Sequence, residues 1–340
     1  MSNFYLKIPA SDIKGFLAQL QCKPTQRNHY VDWGNANTLL LEKLLDKPIT
    51  APLSPETVID YAVAVGKDIT EGGWFYFNTG QIEQTDTCGS IHYAGGRIHS
   101  KADLIAEKFR SLESQFEHLE QVCRLAVKHN IGIHVDVQSF FTEVYLAMGY
   151  EQFFTALYDN ISFIEYFLDL ALEKYIEIIQ RLVKYPISMV LIDSDLCDAT
   201  GVMINPTMLE KIWYQRMKKM LQPFHEANIP IVFHCDGKLD KVLDLFISLG
   251  ACAIHPIEPK FNDIYDIYSK YKGKICLIGN IEIESVLVRG TPEIVRRDVL
   301  EHLNQLGKNG GYILATSTSY FPKSLSPDNF FSMLKAVYGY

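Results

Sequence analysis

The sequence predicts an α/β protein built as a single (β/α)8 barrel with a helical N-terminal extension. Three observations carry this. Strand-like runs alternate with helix-length amphipathic segments along the chain, the pattern of a parallel sheet. No Pro/Gly/Ser linker, low-complexity segment or short repeat divides residues 1–340, which read as one domain. Six or more such units in a chain of 340 residues favour a closed barrel over an open sheet.

Six strands are legible: GIHVDVQ (132–138), MVLIDSD (189–195), IPIVFHCD (229–236), ACAIHPI (251–257), KICLIGNI (274–281) and GYILATS (311–317). HYVDW (29–33) and a segment near WFYF (74–77) supply the first two, with residues 1–50 as helical cover outside the barrel. Helices are expected over 103–129, 150–183, 206–228, 238–249, 261–272, 292–307 and 326–337. In 206–228, Met208, Leu209, Ile212, Trp213, Met220, Leu221 and Phe224 recur near the helical period. Pro206 suits a first turn and Asn205 an N-cap.

Alternation assigns faces within each strand. In 132–138, His134, Asp136 and Gln138 oppose Ile133, Val135 and Val137. The apolar side belongs against the helices, so the polar side looks into the barrel. In IVFHCDG (231–237), Val232, His234 and Asp236 share the inner face, and Cys235 goes outward with Ile231 and Phe233 as a small hydrophobe. Ala251, Ala253 and His255 share a face, with Glu258 in the following loop. Asp193 and Asp195 share another, and Asn280 ends a further strand. Barrel active sites sit at the C-terminal rim.

These residues form the candidate site. His234, His255 and Asp236 are expected to hold a metal, since two histidines and a carboxylate suit Zn²⁺ with an open position. Asp236, Glu258 and Asp195 are the acid–base candidates; Asp193, Asn280, His134 and Gln138 are the substrate-binding ones. The competing explanation, polar strand ends that only cap and hydrogen-bond, weakens because independent strands deliver these groups to one rim. Cys88, in TDTCGS, is a weaker candidate for a reactive thiol, and His92 and His99 decorate a Gly-rich loop.

Composition bounds the partners. The net charge is −8 and no Lys/Arg cluster appears, so the nucleic-acid footprint is missing. No apolar run approaches the roughly 18 residues of a membrane span, and MSNFYLKIPASDIKG lacks a secretory pattern. Seven cysteines without a CxxC pair fit a reduced, cytoplasmic setting.

The chain resembles the uroporphyrinogen decarboxylase superfamily, which includes the heme-pathway decarboxylase and corrinoid-dependent methyltransferases. The resemblance rests on DSDLCDATGVMINP (193–206), IPIVFHCDGKLDKVLDLFISLGACAIHPIEP (229–259), DIYDIYSKYKGKICLIGNIE (263–282), RGTPEIVRRDV (289–299) and GGYILATSTS (310–319), and more loosely on AVGKDIT (64–70) and GYEQFF (149–154). It implies a distorted (β/α)8 TIM barrel with N-terminal helices. The decarboxylase's Arg-Gln-Ala-Gly-Arg segment is absent: the corresponding region reads RNHYVDWGNA, with Arg27 alone. The thiol-activating methyltransferases hold zinc on His-x-Cys and a distant Cys. Here His234 matches, Asp236 takes the cysteine position, Cys235 is off by one, and ATSTS has no cysteine.

The resemblance therefore implies methyl transfer from an O-methyl or similar small donor to a corrinoid on a partner protein. A nitrogen/oxygen zinc site suits an oxygen substrate better than a thiol. The alternatives are a decarboxylase on a tetrapyrrole or smaller carboxylate, with Asp68 in GKDITEGG in the catalytic position, and a barrel that binds tetrapyrrole or corrinoid without chemistry. Homodimers occur in the family.

Overall fold

The structure is a computed structural model that describes residues 8–33, 37–85, 91–107 and 109–339. Seven parallel strands form one curled sheet. Along the chain they are β1 (Ile69–Phe75), β2 (Gly132–Gln138), β3 (Met189–Asp193), β4 (Ile231–His234), β5 (Ala253–His255), β6 (Cys276–Ile281) and β7 (Tyr312–Thr316). Each pairs with the next, so spatial order follows chain order. Residues 29–33 take the eighth position beside β7: Val31 N donates to Leu314 O at 3.1 Å and Leu314 N to His29 O at 3.0 Å.

The seam between that segment and β1 is closed by side chains. Lys67 Nζ donates to the Asp32 carbonyl at 3.0 Å and Tyr61 OH to Asp32 Oδ2 at 3.0 Å. Asp68 is held by His29 Nδ1 at 2.7 Å and by Arg27. This gap in the backbone ladder is the distortion of the barrel.

All six strand expectations are met, with ends trimmed by up to two residues, where the chain turns off the sheet. Near WFYF the strand is shifted, to Ile69–Phe75. The N-terminal cover is three helices, Ile13–Leu20, Thr38–Leu45 and Pro55–Val65. Two expected long helices are each split in two: Lys101–Ala106 with Glu113–His129, and Tyr150–Asp159 with Ile161–Leu182. Asn205 caps the helix at Pro206, its Oδ1 accepting from Met208 N at 2.9 Å. Among the described residues, no helix is long and apolar enough to cross a membrane.

Two apolar layers follow from the alternation. Ile133, Val135, Val137, Phe233 and Cys235 pack outward against the helices. Met189, Leu191, Val232, Ala253, Ile278 and Ile313 fill the barrel floor, which Phe16 and Leu20 of the first helix plug from below. With these apolar side chains filling the floor, the inward polar residues of the strands lie toward their C-terminal ends.

Candidate functional site

The sheet register assembles the site. Gln138, Asp193, His234 and His255 are successive partners across β2, β3, β4 and β5, one residue per strand. His234 and His255 are buried, and their Nδ1 atoms meet at 2.9 Å. On the other side of the ring, His234 Nε2 faces Asp236 Oδ1 at 3.4 Å and Asp195 Oδ1 at 4.0 Å. Asp193, Asp195 and His234 offer ligand atoms that all lie within 4.8 Å of one another. Trp33 lies against both His255 (centroids 4.1 Å) and His134 (5.6 Å), and its Nε1 donates to Asp136 Oδ1 at 3.3 Å. Asp136 Oδ1 also meets His134 Nδ1 at 3.0 Å.

The loops are braced by carboxylates. Asp195 Oδ1 accepts from Asp236 N at 2.9 Å, and Glu258 Oε2 from Gly237 N at 2.6 Å. Gly237 has φ 84°, and a Cβ there would lie 2.5 Å from Asp198 O, so only glycine fits this turn. Ser194 N donates to His234 O at 3.0 Å and ties the two acidic loops together.

The electrostatics follow from burial and crowding of like charges. Burial alone would pull the His234 imidazolium down, but Asp236, Asp193, Asp195 and Asp136 together push it up to about 9. Burial, then the Asp195 charge, push Asp193 up to about 7 against the pull of His234. Asp236 is pushed up to about 6, by burial and by Asp195 and Glu258; its side chain is 54% exposed, so solvent weakens this push relative to Asp193. Burial, then His234 and His134, hold His255 well below the usual range. His255 is therefore neutral. We assign the proton between the two Nδ1 atoms to His234, with His255 Nδ1 as acceptor.

Not all of the expected groups converge on one point. His255 does not share a ligand point with His234; its Nδ1 is spent on His234 Nδ1, and its Nε2 is buried without a hydrogen-bond partner. Asp193 and Asp195 take its place beside His234. Glu258 holds the Gly237 turn through its Oε2. Gln138 is drawn aside: its Nε2 donates to buried Glu143 at 2.8 Å, which also accepts from Thr79 N at 2.6 Å and Tyr175 OH at 3.0 Å. Asn280 is outside the barrel mouth. It donates to Ile257 O at 2.7 Å, its Oδ1 meets His302 Nε2 at 3.0 Å, and it lines a separate cavity with Glu282, Asp298 and Glu301. Asp68 sits just before β1 at the barrel floor, about 20 Å of strand below the rim. Arg27 is committed to it. Asp136 and His134 stay in the interior, under Trp33. Cys88 lies outside the described residues; His92 and His99 are exposed.

Residues that the sequence reading passed over complete the mouth. Tyr145, Tyr150, Phe154 and Met203 line a cavity of about 600 Å³ with Asp195 and Asp236. Their signal was their place: the segment after a barrel strand's C-terminal end builds the rim. Trp33 shares parity with Val31 in HYVDW, which places it inside.

One family model and one structural neighbour of TM-score 0.73 agree with this architecture. Residues 97–340 match the family described as uroporphyrinogen decarboxylase (URO-D). A methyltransferase from Methanosarcina mazei is similar in structure over 97% of this chain and 98% of that one, with TM-score 0.73 and 16% sequence identity. An endo-β-1,4-xylanase of glycoside hydrolase family 10 from Gloeophyllum trabeum covers 66% of this chain and 81% of its own, with TM-score 0.40 and 9% identity. No curated protein matches the chain.

Proposed function

We propose, on the premise that this chain belongs to the uroporphyrinogen decarboxylase family, that it transfers a methyl group from a small O-methyl or similar donor to a corrinoid carried by a partner protein. The observation behind this reading is the chemistry of the mouth. His234 Nε2 opens toward Asp195 and Asp236, and the cavity they line has neither Lys nor Arg among its described residues. Such a mouth suits polarising a leaving heteroatom. It is ill suited to a polycarboxylate, because each like-charge contact near 4 Å costs about 1–4 kcal/mol. Arg27, the cation nearest the decarboxylase pattern, is held at the floor by Asp68.

A metal fits the same groups. Asp193, Asp195 and His234 would hold it, since their ligand atoms lie within 4.8 Å and His234 Nε2 makes no hydrogen bond among the described residues. Two oxygens and one nitrogen are a donor set for Zn²⁺ or a harder dication. When bound, the ion supplies Lewis-acid polarisation of the donor. The residues' own part is positional: His255 fixes the His234 ring, Asp195 and Glu258 fix the loop that carries Asp236, and His234 Nε2 holds a proton toward the leaving atom when no metal is present.

The test is methylation of Co(I) cobalamin from candidate donors, followed by the visible spectrum, with metal content measured on the same sample. His234→Ala is expected to lose transfer, and bound zinc with it, while keeping the fold. A folded His234→Ala variant with full transfer would refute this reading. Carbon dioxide release from a porphyrinogen, unaffected by that substitution, would favour the decarboxylase.

A further inference from the structure

The mouth presents carboxylates, and its described lining residues include no lysine or arginine. Asp195, Asp236 and Asp198 line it with Tyr145, Tyr150 and Phe154. His234 is 7% exposed, and its Nε2, 3.4 Å from Asp236, makes no hydrogen bond among the described residues. Its Nδ1 is committed to His255, so Nε2 is the ring atom left facing the mouth. The aromatic wall is built, not incidental: Tyr145 is buried and Tyr150 packs on it at 5.3 Å between centroids, with an interplanar angle of 31°. Aromatic faces carry negative potential and attract cations, most strongly quaternary ammonium groups. Carboxylates beside them add to that attraction, and no lysine or arginine among the described lining residues competes for it.

We infer that the methyl donor is itself a cation, a small methylated ammonium compound held between the Tyr145–Tyr150–Phe154 wall and the Asp195/Asp236 carboxylates. This rests on the methyl-transfer reading and replaces its O-methyl donor with an N-methyl one. The chemistry balances. The Co(I) corrinoid gives an electron pair to the methyl carbon and the C–N bond breaks. Its pair stays on nitrogen, so a neutral amine leaves and cobalt becomes Co(III). The positive charge that holds the donor is the same charge that makes its nitrogen a leaving group, and it disappears from the amine on transfer, which loosens the product. A neutral methyl ether gains nothing from this wall beyond apolar contact.

The test uses choline and its neutral carbon isostere, 3,3-dimethylbutan-1-ol, titrated calorimetrically into the protein as purified. Choline is expected to bind at least about tenfold tighter, the scale of one desolvated cation–π contact. Tyr150→Leu, at a position 46% exposed and so tolerant of change, and Asp236→Asn are each expected to weaken choline about tenfold and leave the isostere unchanged. Equal affinity for the two compounds, or choline binding untouched by both variants, overturns the inference. The two readings fail separately. Choline selectivity without methylation of Co(I) cobalamin by any methylammonium donor refutes methyl transfer and leaves the cation site. Methylation from a neutral ether, with choline and isostere binding alike, refutes the cationic donor and leaves methyl transfer.

Discussion

Replacing His255 tests the core of the site. In the structure its neutral Nδ1 accepts from His234 Nδ1 at 2.9 Å, and its ring lies 4.1 Å from that of Trp33. His255→Leu keeps bulk and burial but removes the acceptor. The His234 Nδ1–H is then buried and unpaired, which costs about 1–3 kcal/mol. Loss of the ring contact with Trp33 adds about 0.5–1.5 kcal/mol. The unfolding free energy should fall by about 1.5–4.5 kcal/mol. The His234 ring also loses what fixes its orientation, and outer partners of a metal-ligating histidine are worth about 10–100-fold in metal affinity. His255→Asn restores an acceptor oxygen and should recover much of the site effect. The assay is urea denaturation followed by tryptophan fluorescence, with calorimetric Zn²⁺ titration of each variant. If the leucine variant matches wild type in both, the Nδ1–Nδ1 contact does not hold His234. If leucine and asparagine both abolish binding as completely as His234→Ala, His255 is a ligand after all, as its spacing first suggested.

Three further outcomes are expected. Each folded-state shift at His234 (to about 9), Asp193 (to about 7) and Asp236 (to about 6) is upward, so the folded chain holds more protons than the unfolded one; stability should fall as pH rises from about 6 to about 9, and Zn²⁺ or choline should stabilise more at the upper end, whereas a melting temperature that climbs across this window contradicts the cluster. Glu258→Ala should cost about 1–2 kcal/mol by freeing the Gly237 N–H, and Glu258→Gln should restore most of it; loss of transfer in a stable glutamine variant would make the Glu258 charge catalytic. Asp68→Asn breaks a buried ion pair with Arg27 and His29 and should lower stability by about 3–5 kcal/mol with activity per folded molecule retained; full stability with lost activity would return Asp68 to a chemical role.

What the sequence made legible was periodicity. The alternation in 132–138, 231–237 and 251–257 placed His134, Asp136, His234 and His255 inside, and placed Cys235 outside, where it packs. It failed where the strand stops alternating. Asn280 should follow Ile278 inward, but Gly279 intervenes with φ 154° in contact with Pro256, and the asparagine turns to His302. The helix Phe140–Met148 was missed because nearly every residue in it is buried, so no stripe marks it. Glu143 within it captures Gln138, a contact with no local signature. The roles of Asp195 and Glu258 were out of reach for a similar reason. They answer backbone N–H groups of a turn, and those groups are the same in every sequence.

The charge arrangement explains why these roles belong together. The described residues of the mouth cavity include no lysine or arginine, and two cations of the N-terminal region are spent elsewhere, Arg27 on Asp68 and Lys67 on Asp32. Crowded carboxylates without a counterion must take up protons, and Asp193, Asp236 and His234 all lie on the proton-holding side of their ordinary values. Protons here therefore stand in for a cation. The resemblance puts Asp236 where related methyltransferases carry a zinc-binding thiolate. On the proposed reading, exchanging a soft thiolate for a hard carboxylate turns the mouth from soft metal chemistry toward a positively charged guest. A cation that enters must displace protons, so its binding has to strengthen with pH whether the guest is a metal or an ammonium ion. Only the ammonium ion also depends on the Tyr150 ring, and that dependence separates the two guests of one site.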